Sequence, residues 1–103
     1  MRILIVGAGI VGTNLAQELS QEGHDIAIID EDPEKIRRIS DTLDVMSVRG
    51  NACLPSVLMK AGIRNMEMVI AVTNKDEINM MVCFLASKFK IQERFARLRS
   101  MEF

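Results

Sequence analysis

The chain has 103 residues, of which 49% are hydrophobic, so it can bury one core and is too short for two. A net charge of −1, with no cluster of basic and aromatic residues, excludes an electrostatic surface for nucleic acid, and we expect no nucleic-acid partner. The apolar runs have the length of strands, far below the ~20 residues of a membrane helix, which predicts a soluble, intracellular single domain over residues 1–103.

A glycine-rich turn follows the first predicted strand, residues 2–6. Its GxGxxG spacing is typical of the junction between strand and helix at which a Rossmann fold holds a dinucleotide. Gly7 permits the tight turn, Gly9 leaves room for a pyrophosphate, and Gly12 lets the helix pack closely on the strand. The residues that we predict to bind the phosphates are Gly7, Ala8, Gly9, Ile10, Val11 and Gly12. The alternative is a loop that only packs the helix.

An acidic pair ends the second predicted strand, residues 25–30. Asp30 lies 18 residues beyond Gly12, a spacing that suits a carboxylate bonding ribose hydroxyls, and Glu31 follows it. A carboxylate there repels a 2′-phosphate, so NAD(H) or an adenosine nucleotide is favoured over NADP(H). The alternative is that Asp30 only caps the next helix.

Strands and helices alternate along the whole chain without a linker. The predicted strands cover residues 2–6, 25–30, 45–49, 67–72 and 95–99. The apolar residues predicted to face the sheet from the first helix are Val11, Leu15 and Leu19. Right-handed crossovers then predict an α/β fold, a Rossmann-like doubly wound parallel sheet of order 3-2-1-4-5, with ligands bound at the switch point between strands 1 and 4.

Two further loops open at the same edge of the predicted sheet. The residues that we place beside an adenine follow the third strand and are Gly50, Asn51 and Ala52. Thr73 and Asn74 follow the fourth strand, where they would meet a ribose or a phosphate. The alternative for this pair is capping, because Asn74 followed by Glu77 resembles a capping box.

The fourth predicted helix, residues 75–89, has more apolar surface than one sheet-facing stripe needs. The residues of its predicted core face are Ile78, Met81, Val82, Leu85 and Phe89. Met80 and Phe84 project from a neighbouring side, which predicts contact between copies of the chain in a homo-oligomer. The alternative is a wide core face, or one covered by a segment outside this chain.

No residue pattern indicates catalysis. His24, the single histidine, lies in a turn, and the chain has no tyrosine. Cys53 and Cys83 show no metal-ligand spacing, so free thiols are expected, with a redox role for Cys53 as the alternative. We therefore expect no enzyme activity and no metal site. The alternative is a cofactor-binding fragment of an NAD-dependent oxidoreductase.

Six segments together resemble the nucleotide-binding domain of the TrkA and KtrA type, called KTN or RCK-N, which regulates potassium transporters and channels. They are GAGIVG at 7–12, IIDED at 28–32, RGNA at 49–52, AGI at 61–63, AVTNKDEINM at 71–80 and ARLRS at 96–100. The resemblance implies a regulatory module that senses NAD(H) or ATP, ADP or AMP and controls a potassium-translocating membrane protein. It also implies a cytoplasmic location at the inner face of the membrane, held there by that partner.

The resemblance further implies that one arginine of the fifth strand turns to the nucleotide, and of Arg97 and Arg99 we choose Arg99. Three departures stand out. Ile10 replaces the Gln or Arg of many relatives, which favours NAD(H) over ATP, and Asn51 stands where an acid is common. The family continues past position 103 into a sixth strand, so we expect a domain truncated at its C-terminal end.

Overall fold

Five parallel strands form one sheet of order β3-β2-β1-β4-β5 in the computed structural model, which describes residues 1–100. The strands are β1 (Arg2–Val6), β2 (Asp25–Asp30), β3 (Met46–Arg49), β4 (Met68–Ala71) and β5 (Glu93–Ala96). The helices are α1 (Ile10–Gln21), α2 (Pro33–Thr42), α3 (Pro55–Lys60) and α4 (Asp76–Lys88), with a 3₁₀ turn at Ile63–Asn65. The predicted fold and strand order are confirmed.

Helices cover both faces of the sheet, which explains the continuous apolar run of β1. Leu4 and Val6 belong to a core cluster with residues of α3 and α4. Ile3 and Ile5 belong to a second cluster with residues of α1 and α2. A strand buried on both faces has no polar alternation, since neither side meets water. No helix among residues 1–100 is long and apolar enough to cross a membrane.

Helix α1 meets the sheet through smaller residues than predicted. Gly12 and Ala16 are buried, and Leu15 packs beside them. Val11, predicted to face the core, is 39% exposed. The prediction for Val11 was wrong because the helix begins at Ile10, so its first turn lies beyond the end of β1.

Local chemistry sets the start of α2 and the end of α3. The Asp32 carboxylate accepts a hydrogen bond of 2.9 Å from the Glu34 N–H, and Pro33 follows in the first helical position. Gly62 follows α3 with a φ of 85°, a conformation that glycine adopts without strain.

The structure corrects the predicted face of α4 and the predicted position of β5. The buried face of α4 contains Asn79, Val82 and Ala86, whereas Met81 is 45% exposed. Strand β5 runs over Glu93–Ala96 and not over residues 95–99. Arg97 and Arg99 therefore follow the strand instead of lying in it, and strand alternation does not govern their directions.

Candidate functional site

A cavity of about 510 Å³ lies at the carboxyl ends of the strands, at the switch point between β1 and β4. Residues after all five strands contribute to its wall, and its volume is typical of small-molecule sites. The predicted site residues that line it are Gly7, Gly9, Ile10, Val11, Asp30, Glu31, Gly50, Asn51, Ala52, Thr73, Asn74 and Arg99. Ala8 and Gly12, also predicted, do not line this cavity.

The three glycines of the turn have different surroundings. Gly7 has a φ of 111°, and a Cβ there would lie 2.9 Å from the Thr73 nitrogen. A Cβ on Gly12 would lie 1.7 Å from the carbonyl oxygen of Gly7. At Gly9, by contrast, a Cβ would meet nothing within 4 Å. Gly7 and Gly12 are thus required by the packing of the turn, while Gly9 leaves open space of the kind a phosphate needs.

The Asp30 carboxylate holds the glycine turn from the end of β2. Its Oδ2 accepts a hydrogen bond of 2.8 Å from the N–H of buried Ala8, and its Oδ1 accepts one of 2.9 Å from the Asp32 N–H. A carboxylate has about four acceptor sites, so two stay available for ribose hydroxyls. Asp30 thus has a structural role that the sequence spacing did not predict.

The loop after β3 is tightly folded on itself. The Asn51 Oδ1 accepts a hydrogen bond of 2.8 Å from the Cys53 N–H, and a Cβ on Gly50 would lie 2.9 Å from Val57. Ala52 is buried. Burial raises the pKa of the neighbouring Cys53 thiol, and the charge of Glu31 raises that pKa further. A raised thiol pKa lowers reactivity, which disfavours the redox alternative for Cys53.

Asn79 organises the loop after β4, a role that the sequence pattern does not predict. Its side chain is fully buried, and its Oδ1 accepts hydrogen bonds from the Thr73 N–H at 2.9 Å and the Thr73 hydroxyl at 2.7 Å. Its Nδ2 donates to the Thr73 carbonyl oxygen at 3.1 Å. Helix α4 follows Lys75, which has no side-chain cap bond, so the predicted capping box at Asn74 is wrong. Asn74 lines the cavity instead.

Asp76 and Asn79 hold the chain where it leaves β5. The Arg97 N–H still donates to the Ala71 carbonyl at 2.9 Å, and the Arg97 carbonyl then accepts from Asn79 Nδ2 at 2.8 Å. The Asp76 carboxylate accepts from the N–H groups of Arg99 at 2.9 Å and Ser100 at 2.7 Å. These two hydrogen bonds lower the pKa of the Asp76 carboxyl, and the bond from Arg99 has the larger effect. The sequence offered one indication of a shared role for Asp76 and Asn79: they lie three positions apart on a predicted helix, which puts both on the same face.

The carboxylates and the arginines of the cavity wall follow different strands. Asp30 and Glu31 line the side formed after β2, and Lys35 of α2 also contributes to the wall. The charged residues that line the side formed after β4 and β5 are Lys75, Arg97 and Arg99. The Arg97 Nε is buried and has no hydrogen-bond partner in the described part of the chain. A carboxylate is suited to ribose hydroxyls, and cations are suited to phosphates. The charges of the cavity wall therefore fit a nucleotide.

The model of the TrkA-N domain family matches residues 3–103 of the chain. The Trk system potassium uptake protein TrkA of Vibrio alginolyticus is 43% identical over 104 aligned positions, which include all of this chain and 23% of that protein. The chain thus spans less than a quarter of the length of this curated relative.

Solved structures share the fold at lower identity. The Kef CTD of Shewanella denitrificans in its AMP-bound form has a TM-score of 0.78 at 21% identity, over 92% of this chain and 57% of that one. ChuY, an anaerobillin reductase of Escherichia coli O157:H7, has a TM-score of 0.65 at 21% identity, over 89% of this chain and 48% of that one. Likeness at this identity establishes the fold alone, so function must be argued from the site.

Proposed function

Because the chain belongs to the TrkA-N domain family, we propose that it is a regulatory module that binds a nucleotide and thereby controls a potassium-translocating membrane protein. The observation that carries this proposal is the cavity at the switch point, where the glycine turn, Asp30 and the arginines after β5 meet. Parallel α/β sheets bind their ligands at such a point.

NAD(H) is the ligand that we favour, with ATP, ADP and AMP as alternatives. Asp30 has acceptor sites left for the adenosine ribose, and the open space at Gly9 suits a pyrophosphate. Beyond the turn, Ile10 and Val11 give the cavity an apolar wall, and Ile10 is 83% exposed. An apolar wall fits a nicotinamide ring better than the charged end of a triphosphate.

The regulation that we propose is a shift of population. A nucleotide that binds one arrangement of an oligomer better than another favours that arrangement, and the membrane partner responds to it. A tenfold preference corresponds to about 1.4 kcal/mol, so small differences in phosphate contacts are sufficient.

The assembly that we propose is a homo-oligomer formed through α4, held at the cytoplasmic face of the membrane by its partner. Three large apolar residues of this helix are well exposed, at 41% for Met80, 45% for Met81 and 56% for Phe84. Exposed apolar patches of this kind commonly mark contacts between proteins.

Thermal unfolding with separate additions of NADH, NAD, ATP, ADP and AMP tests nucleotide binding. A ligand at 100 times its Kd adds about 2.7 kcal/mol to the free energy of unfolding, so the native ligand raises Tm clearly. The matched control is Gly9→Asp, whose Cβ enters open space and whose carboxylate places a negative charge beside the phosphates, and which should abolish the rise. A folded wild-type protein that none of the five nucleotides stabilises would contradict the proposal.

The alternative function is the cofactor-binding part of an NAD-dependent oxidoreductase, because a glycine turn and an acid at the switch point also suit the dinucleotide of an enzyme. Such an enzyme needs a group that gives or takes a proton beside the nicotinamide. Among residues 1–100, the cavity wall contains no histidine, tyrosine or cysteine, and its lysines are Lys35 and Lys75. Co-purification with a potassium-translocating membrane protein would favour regulation, and catalysed oxidation of NADH would favour the alternative.

A further inference from the structure

Two polar side chains of α4 are buried on the same helix as the core residues Val82 and Ala86. Asp76 is 8% exposed and Asn79 is fully buried, and their spacing of three puts them on the same face. Buried polar groups are retained where their hydrogen bonds are satisfied, and each of these two has partners of its own.

Asn79 joins two segments that are far apart in sequence. Its carboxamide makes two hydrogen bonds with the backbone of Thr73 and one with the hydroxyl of Thr73. Its remaining bond goes to the carbonyl of Arg97 at 2.8 Å. Two donors and two acceptors are the full capacity of an amide side chain, so none of it is left unused.

Asp76 binds the same segment two residues further along. Strand β5 has ended at Ala96, yet the N–H groups of Arg99 and Ser100 point to one carboxylate at 2.9 and 2.7 Å. These hydrogen bonds lower the pKa of the Asp76 carboxyl, which therefore accepts them as a carboxylate at neutral pH, as an ordinary Asp would. Hydrogen bonds to a charged acceptor are roughly twice as strong as neutral ones.

We propose that Asp76 and Asn79 are positioning residues of the nucleotide site, which hold the segment of residues 97–100 so that Arg97 and Arg99 line the cavity. The inference rests on the proposed function, since it assigns these arginines to the phosphates of the ligand. Neither Asp76 nor Asn79 lines the cavity, so both act through the backbone that they hold.

A double-mutant cycle separates positioning from a general contribution to the fold. Calorimetry with ADP as the probe compares wild type, Asp76→Asn, the pair Arg97→Ala with Arg99→Ala, and all three changes together. We expect Asp76→Asn to weaken ADP binding about tenfold in the wild-type background, and to cause no further loss when the arginines are absent. The control is Glu77→Gln, on the exposed neighbour, with unchanged affinity.

Equal losses in both backgrounds would overturn the proposal, because Asp76 would then act independently of the arginines. Unchanged affinity in Asp76→Asn would overturn it too. A wild-type protein that binds none of the five nucleotides would refute the proposed function itself, and this inference with it. If only this inference is wrong, the wild type binds ADP normally, and the effect of Asp76→Asn on affinity does not depend on whether the arginines are present.

Amide hydrogen exchange adds a readout that needs no nucleotide. In Asp76→Asn, the N–H groups of Arg99 and Ser100 lose a charged acceptor, and their exchange should become at least about tenfold faster than in Glu77→Gln. Comparison with amides of β1 shows whether the whole fold has loosened. Equal exchange of the two N–H groups in both variants would overturn the proposal.

Discussion

The carboxylate of Asp30 accepts a hydrogen bond of 2.8 Å from the backbone N–H of Ala8 and so joins the end of β2 to the glycine turn after β1. One side chain thus shapes the turn and faces the cavity at the same time. We therefore expect changes at Asp30 to affect both the stability of the fold and the binding of the proposed nucleotide.

Asp30→Ala is expected to lower the free energy of unfolding by about 1–3 kcal/mol, because the buried Ala8 N–H loses its acceptor. Nucleotide affinity should fall as well, since the ribose hydroxyls lose theirs. Urea denaturation and calorimetry measure the two effects separately. Asp30→Asn is the matched control, because it keeps one acceptor oxygen and should lose less stability. Unchanged stability in Asp30→Ala would contradict the structural role.

Gly12→Ala is expected to destabilise the protein by more than about 3 kcal/mol, because its Cβ would overlap the Gly7 carbonyl oxygen at 1.7 Å. Gly9→Ala adds the same methyl group in open space, so its Tm should stay near that of the wild type while nucleotide affinity falls. Thermal unfolding with and without NADH tests both variants. The assignment of separate roles fails if the two variants unfold alike.

The double variant Met80→Glu, Phe84→Glu should reduce the mass seen in sedimentation to that of a single chain, because two charges disrupt the exposed apolar surface of α4. The control is Met59→Glu, which makes the same change at a methionine of α3 that is 38% exposed. An oligomer that survives the double variant would exclude this surface as the interface.

The contribution of Asp76 to stability should depend on pH. Its carboxyl pKa is lowered in the folded state, mainly by the Arg99 N–H, so its stabilising effect is present above the unfolded pKa of about 3.9. The effect is lost as the pH falls through the folded pKa. Urea denaturation should therefore show the gap between wild type and Asp76→Asn at neutral pH and its narrowing below about pH 4. A gap independent of pH would argue against an ionised Asp76.

Ile10→Arg should raise the affinity for ATP relative to NADH, because a guanidinium at the phosphate turn can bind a terminal phosphate. Ile10 is 83% exposed, so the change removes little packing and Tm should hardly move. Calorimetry with both nucleotides tests it, with Ile10→Leu as the apolar control. If Ile10→Arg has the same ratio of ATP affinity to NADH affinity as the wild type, residue 10 does not determine which nucleotide is bound.

The sequence alone predicts the parallel sheet, its strand order, the glycine turn and the position of Asp30. These features follow from local physics: the apolar runs of β1 and β2 indicate strands buried on both faces, and only glycine fits the positive φ of Gly7. Chain handedness then leaves few ways to order the strands.

Only the tertiary structure decided which helix residues face the core and where β5 ends. Val11 and Met81 have the spacing of core residues and are exposed, because the ends and tilt of a helix on the sheet decide which face is covered. From the sequence, Asp76 and Asn79 cannot be distinguished from ordinary polar residues of a helix. Their role depends on backbone groups of Arg97 and Arg99, which need hydrogen-bond partners once β5 has ended. Arg97 lies 18 residues from Asn79 in the sequence, and Arg99 lies 23 residues from Asp76. Hydrogen bonds between such distant groups exist only after the chain has folded.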